Sequence, residues 1–162
     1  MEIQLNTFGK DKRISMCVFA GALILTNKKS KNLSQWLSDA ATLLYHRGPD
    51  AGGYFTDGPL SLAARRLRIH DLEEHADQPM HDSSGRYCVV FNGSIFNYKE
   101  IRKELKELNI QFKTESDTEV VLYSLATWGK EAFQKFDGMF SIVFYDKLKK
   151  KIVIGRDKLG IK

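Results

Sequence analysis

Apolar residues fall in short runs separated by polar turns, and the spacing within each run predicts its conformation. Residues 17–25 form a continuous apolar run, consistent with a strand buried on both faces. Leu33, Leu37, Ala40, Ala41 and Leu44 then recur at helical spacing, with Asn32 or Ser34 available as the cap. That helix should stop where His46 and Arg47 meet its C-terminal dipole and Gly48-Pro49 cannot continue it. Strands are expected at 53–56, 61–69 and 86–92. Asn97 and Glu100 have the spacing of a capping box, opening a helix with Ile101, Leu105 and Leu108 on one face. Ser116 and Glu119 form a second box ahead of Val120, Val121, Leu125 and Trp128, and 130–136 continues helically. Runs at 139–145 and 151–155 straddle a polar turn and read as a hairpin. Antiparallel hairpins with helices grouped in two places favour two sheets covered by helices over a doubly wound parallel sheet.

A chain of 162 residues is the size of one domain with its own core. Charged residues at 28% and hydrophobic residues at 43% are a globular balance, which excludes disordered and fibrous classes. Two cysteines, Cys17 and Cys88, cannot make a disulfide framework, and no Cys-x-x-Cys or His pair points to a metal. The excess of 25 Lys and Arg over 20 Asp and Glu is mild and sits largely in Lys28-Lys29-Ser30-Lys31 and Lys147-Leu148-Lys149-Lys150-Lys151. These read as solvated loops, and no aromatic-interleaved basic stripe calls for nucleic acid. Lys10, Lys12 and Arg13 before the run at 16–25 imitate a signal peptide. The run is too short to cross a bilayer and lacks a small-x-small cleavage site, so no membrane association and a cytoplasmic location are expected. Residues 1–15, polar and weakly patterned, are expected to be an N-terminal extension or propeptide.

The motifs say more. Met16-Cys17-Val18-Phe19-Ala20-Gly21 is followed by His46-Arg47-Gly48-Pro49-Asp50, Arg65-Arg66-Leu67 and Gln78-Pro79. Phe91-Asn92-Gly93-Ser94-Ile95-Phe96-Asn97-Tyr98, Ser116-Asp117-Thr118-Glu119, Gly138-Met139-Phe140 and Gly155-Arg156-Asp157-Lys158-Leu159-Gly160-Ile161-Lys162 complete the series. In this order and spacing they resemble the class II glutamine amidotransferase (glutaminase) domain of asparagine synthetase, from Met16 to the last residue. The resemblance implies an α+β, N-terminal-nucleophile (Ntn) hydrolase-like fold: a four-layer α/β/β/α sandwich with mostly antiparallel sheets. It implies that 16–162 is the amidotransferase domain, truncated at its C-terminus. The implied reaction is hydrolysis of L-glutamine, with ammonia passing to a synthetase domain or partner chain that activates a carboxylate with ATP.

Splitting a carboxamide needs a nucleophile, a base, an oxyanion site and groups that hold the substrate. By resemblance, Cys17 is the nucleophile and its own α-amino group the base, whereas an arbitrary cysteine in such a run would be a small buried hydrophobe. Cys88 has no such context and reads as core. Asn92 and Gly93 match the oxyanion hole, a carboxamide donor paired with a backbone N–H; the plain alternative is an Asn-Gly turn at a strand end. Arg66 matches the arginine that binds the α-carboxylate, a fit of guanidinium fork to carboxylate. Alternation puts Ala64, Arg66 and Arg68 on one strand face and Arg65, Leu67 and Ile69 on the other. Asp117 matches the acid that holds the α-ammonium, though it also suits a helix N-terminus. Arg47, in a loop that the resemblance sets beside the nucleophile, ranks second.

Four departures stand out. Cys17 is internal as written, so its nitrogen is an amide; a start at Met16 with methionine removal, or processing, would expose it. Ser94 stands where an acid normally follows Asn-Gly and helps hold the substrate, Ala64 where a His is usual, and Arg68 where a small polar residue is usual. Together they imply weakened glutamine selectivity, an altered substrate or a degenerate, non-catalytic module. A Cys-His hydrolase using His46, His70, His75 or His81 has no nucleophile-elbow context. No Ser-Gly-Gly-x-Asp-Ser phosphate loop occurs, so no cofactor is expected in this chain, and ATP and Mg belong to the synthetase portion. Oligomeric state is left open, with a homo-oligomer compatible.

Overall fold

The computed structural model describes residues 17–24, 33–66 and 77–162. Expectations for Met16, Leu25, Asn32, Leu67, Arg68, Ile69, His70, His75 and residues 1–15 lie outside the described residues.

Two antiparallel sheets pack face to face. The first has the order β1 (Val18–Leu23), β3 (Leu60–Arg66) and β2 (Ala51–Asp57). The second has the order β4 (Met80–His81), β5 (Tyr87–Ile95), β6 (Gly138–Asp146) and β7 (Lys151–Arg156). Leu60, Leu62 and Ala64 of β3 meet Cys88 and Val90 of β5 and Val143 and Tyr145 of β6, with Phe19, Phe55 and Ile152 at the margin. The alternate residues of each sheet face a helix. Ala63 packs on Leu37 and Ala41 of α1 (Leu33–Leu43). Val89, Phe91, Phe140, Ile142 and Phe144 pack on Ile101 and Leu105 of α2 (Tyr98–Glu107) and on Val120, Val121, Leu122 and Leu125 of α3 (Asp117–Trp128). The layers therefore run α/β/β/α, and period-2 alternation produced both the inner core and the two helix-facing cores.

Several local expectations change. β1 is an edge strand of its sheet, with Gly21 and Leu23 exposed, because only β3 covers one of its sides among the described residues. Asn92 and Gly93 are not a turn: β5 runs through them to Ile95, pairing Asn92 with Ser141 and Gly93 with Phe140. Asn97 makes no side-chain cap to α2. Its carboxamide instead receives Asp137 N–H at 3.0 Å and donates to the Lys135 carbonyl at 2.9 Å, fastening α4 (Ala132–Lys135) to the end of β5. The box at α3 is half formed. Ser116 Oγ accepts from Thr118 N–H at 3.1 Å, but Glu119 reaches back to the Lys113 and Thr114 backbone N–H groups. Helix α1 ends as its spacing predicts, with His46 Nδ1 2.9 Å from the Leu43 carbonyl oxygen. Ser34 lies inside that helix rather than at its cap.

Candidate active site

Two cross-links fix how the sheets face each other. At one end the Tyr145 hydroxyl of β6 donates to Asp57 of β2 at 2.8 Å. Further along, Gln78 Oε1 accepts the Phe91 N–H of β5 at 2.6 Å, while the Gln78 carbonyl lies so close to Gly53 of β2 that a Cβ there would sit 2.5 Å from it. Glycine is required at 53 for that approach. Tyr145 pairs with Cys88, and Asp57 with Leu60. The path of β3 from Leu60 to Arg66 therefore runs beside the path of β5 from Cys88 to Asn92. Arg66 and Asn92 continue the inner faces of their sheets at the same end of the sandwich.

Cys17 falls at that end as well. The β1–β3 register closes at Val18 opposite Arg65, so Cys17 is one residue beyond the last pair and adjoins Arg66. Alternation gives Cys17 the face of Phe19, which is the inner one. Arg65 points the other way. Its Nε donates to the Ala41 carbonyl at 3.2 Å and its guanidinium lies 4.7 Å from the Tyr45 ring centre. Arg66, 6% exposed, donates to Asp77 Oδ1 at 2.7 Å. Gly48 presses on the Arg65–Arg66 peptide, where a Cβ would meet backbone at 2.5 Å, and this brings Arg47 to the same corner. Ala64, where the resemblance expects a His, is buried in the inner core and offers no polar group.

On the facing sheet, Asn92 Oδ1 is buried and has no hydrogen-bond partner among the described residues. Gly93 allows β5 and β6 to touch, since a Cβ on it would lie 2.0 Å from the Met139 carbonyl oxygen. Ser94 and Asp117 line one cleft of about 470 Å³ with Ile95, Phe96, Tyr98 and Lys99. Asp117 Oδ2 accepts the Ile95 N–H at 3.1 Å, which ties the start of α3 to the end of β5. The buried Arg102 supports this join by donating to the Thr114 carbonyl at 2.7 Å and the Ser116 carbonyl at 3.0 Å.

The described candidate residues thus form two groups, Cys17 and Arg66 at the end of the first sheet with Arg47 in the turn beside it, and Asn92, Gly93 and Ser94 on the second sheet with Asp117 at the start of α3. Sequence reasoning gave no role to three further residues. Lys162 is brought back by Asp157, whose carboxylate accepts the N–H groups of Phe140, Leu159, Ile161 and Lys162 at 2.9–3.2 Å. Those bonds, led by Ile161, hold the Asp157 pKa below its ordinary value. Burial lowers the Lys162 pKa, and the Arg47 charge adds to the fall while Asp157 and Cys17 oppose it. Gln78 and Asp77 are the others; Gln78 stood in a quoted motif, whereas no pattern marked Asp77.

Cys88 is 1% exposed, and burial pushes its thiol up to about 12, which keeps it protonated and inert. Of the described histidines, His46 sits on a helix carbonyl and His81 packs on Phe55 with ring centres 5.2 Å apart. Among the described residues, no three His, Cys, Asp or Glu side chains gather as a metal site, and no helix is long and apolar enough to cross a membrane.

Two antiparallel sheets packed face to face between helices, with Cys17 and the Asn92-Gly93 pair at the same end of the facing sheets, define the class: this is an N-terminal-nucleophile hydrolase fold. A solved structure of glutamine phosphoribosylpyrophosphate amidotransferase from B. subtilis shares the fold at a TM-score of 0.52 and 15% identity, covering 63% of this chain and 24% of that one. The chain belongs to the glutamine amidotransferase domain family, whose sequence profile matches residues 16–162. It is 36% identical over 151 residues to the glutamine-hydrolysing asparagine synthetase 1 of Bacillus subtilis, covering 91% of this chain and 23% of that protein. It is 37% identical over 123 residues to asparagine synthetase B of Escherichia coli, covering 76% of this chain and 22% of that protein. The chain therefore spans less than a quarter of the length of these curated relatives.

Proposed function

We infer that this chain is the glutaminase part of an asparagine-synthetase-like enzyme, releasing ammonia from L-glutamine for an ATP-dependent amidation carried out by a synthetase portion. The observation that supports this most is the position of Cys17, adjoining Arg66 at the end of the inner layer where Asn92 emerges from the facing sheet. In this reading, Cys17 Sγ attacks the side-chain carboxamide carbon and the carbonyl electrons move onto oxygen. Asn92 and the Gly93 N–H stabilise that oxyanion. The Cys17 α-amino group takes the thiol proton and returns it to the leaving nitrogen. The C–N bond breaks, ammonia departs and a thioester remains. Water then cleaves the thioester, yielding glutamate and the free thiol. Arg66 holds the α-carboxylate, and Asp117 with Ser94 holds the α-ammonium. Arg47 lies in the loop beside the nucleophile. ATP and Mg serve carboxylate activation by the synthetase portion and are not assigned to this step. The reading carries with it a cytoplasmic location.

The α-amino mechanism requires Cys17 to be the first residue, through initiation at Met16 with methionine removal or cleavage after Met16. The family match beginning at residue 16 supports this. Glutaminase assays on a chain starting at Met1 and one starting at Cys17 test it. Ammonia release only from the second, abolished by Cys17→Ala, is expected. Silence from both, with no labelling of Cys17 by a glutamine-mimicking electrophile, would leave a non-catalytic module as the function.

A further inference from the structure

Arg66 already holds a carboxylate belonging to its own chain. Its Nη1 donates to Asp77 Oδ1 at 2.7 Å, with the arginine side chain 7% exposed and the aspartate 28% exposed. This is the contact that a bound amino acid's carboxylate would make with the same guanidinium. Asp77 is held there by its neighbour. Gln78 is buried, its side chain accepts the Phe91 N–H at 2.6 Å, and its carbonyl is wedged against Gly53. The backbone at 77–78 is thus fastened to both sheets. Both Arg66 and Asp77 have further interactions beyond this contact. Guanidinium has five N–H donors in a planar fork, and a ligand carboxylate reaching it binds alongside Asp77. It must do so beside a like charge, and two carboxylates at one site disfavour each other's ionised form.

We propose that Asp77 is a specificity-determining residue, an internal carboxylate that competes with the substrate α-carboxylate for Arg66. The proposal rests on Arg66 as the carboxylate anchor in the glutaminase reading. It predicts a site that discriminates poorly between an amino acid and its uncharged α-carboxamide.

Calorimetric titration of the full chain with L-glutamine and with L-glutamine α-carboxamide tests this. Asp77→Asn should bind glutamine at least fivefold more tightly while the α-carboxamide stays within twofold. Asp77→Ser should move in the same direction and decides the matter if Asp77→Asn fails to fold. Unchanged or weaker glutamine binding in the folded variants, or equal tightening of both ligands, overturns the proposal. Turnover by the chain starting at Cys17 is the independent readout. If that chain hydrolyses glutamine while the Asp77 variants leave binding unchanged, only the role of Asp77 fails. If no chain binds glutamine and none hydrolyses it, both readings fail.

Discussion

The Tyr145 hydroxyl donates to the Asp57 carboxylate at 2.8 Å, joining the two sheets at the end away from Cys17. Asp57 also receives Lys150 Nζ at 2.7 Å. Removing the hydroxyl leaves Asp57 with its lysine and deletes one charge-assisted hydrogen bond. Tyr145→Phe should therefore cost about 1.5–3 kcal/mol of unfolding free energy, read from the urea midpoint, with glutamine binding unaltered.

Carboxylates held below their ordinary value should govern the response to acid. Arg86 holds Asp146 down to about 2. Lys150, then Tyr145, lowers Asp57, and backbone N–H groups led by Ile161 lower Asp157. A folded-state value below the unfolded one gives stability that is present above the unfolded value and lost as pH falls through the folded one. Urea midpoints should thus be level above about pH 5 and fall steeply between about pH 4 and pH 2. Asp146→Asn should be less stable near neutrality and show a shallower acid slope. An equal slope in the variant would remove Asp146 from this account.

Ser94 shares its cleft with Asp117, so an acid introduced at 94 would face the same ammonium group. Ser94→Glu should lower KM for glutamine by about tenfold or more, the worth of one charge-assisted hydrogen bond, with kcat changed much less. Steady-state kinetics on the chain starting at Cys17 provide the check.

Asn92 and Gly93 are adjacent but should fail differently. Asn92→Ala removes the carboxamide and should cut kcat by about 10²–10³-fold with little loss of thermal stability. Gly93→Ala puts a Cβ 2.0 Å from the Met139 carbonyl oxygen, so the β5–β6 pairing must shift. Overpacking of this kind costs about 1–3 kcal/mol, and a lowered melting temperature should accompany any lost activity. Full stability in Gly93→Ala would contradict the tight pairing.

The elements that were legible in the sequence are those whose own residues decide them. The hairpin of β6 and β7 and helices α1, α2 and α3 follow from apolar period and turn residues, close to their observed bounds. Alternation along β3 separated Arg65 from Arg66, and the order of the motifs named a candidate set. Misreadings arose where a distant group competed for a local one. Asn97 had the spacing of a cap, yet the Lys135 carbonyl and Asp137 N–H bind its side chain instead. The strand expected to end at 92 runs on to Ile95, because Asn92 and Gly93 pair with Ser141 and Phe140 of β6.

Periodicity and motif order, local properties of the chain, by themselves determined the layer type, the helices, the closing hairpin and the family resemblance. Only the tertiary structure decided which charges share a site. Arg66 meets Asp77, eleven residues further along the chain, Lys162 returns toward Arg47 and Cys17, and Asn92 faces the sheet that carries Cys17. Each of these depends on packing one sheet against the other, and pattern within a strand carries no information about the partner across the gap.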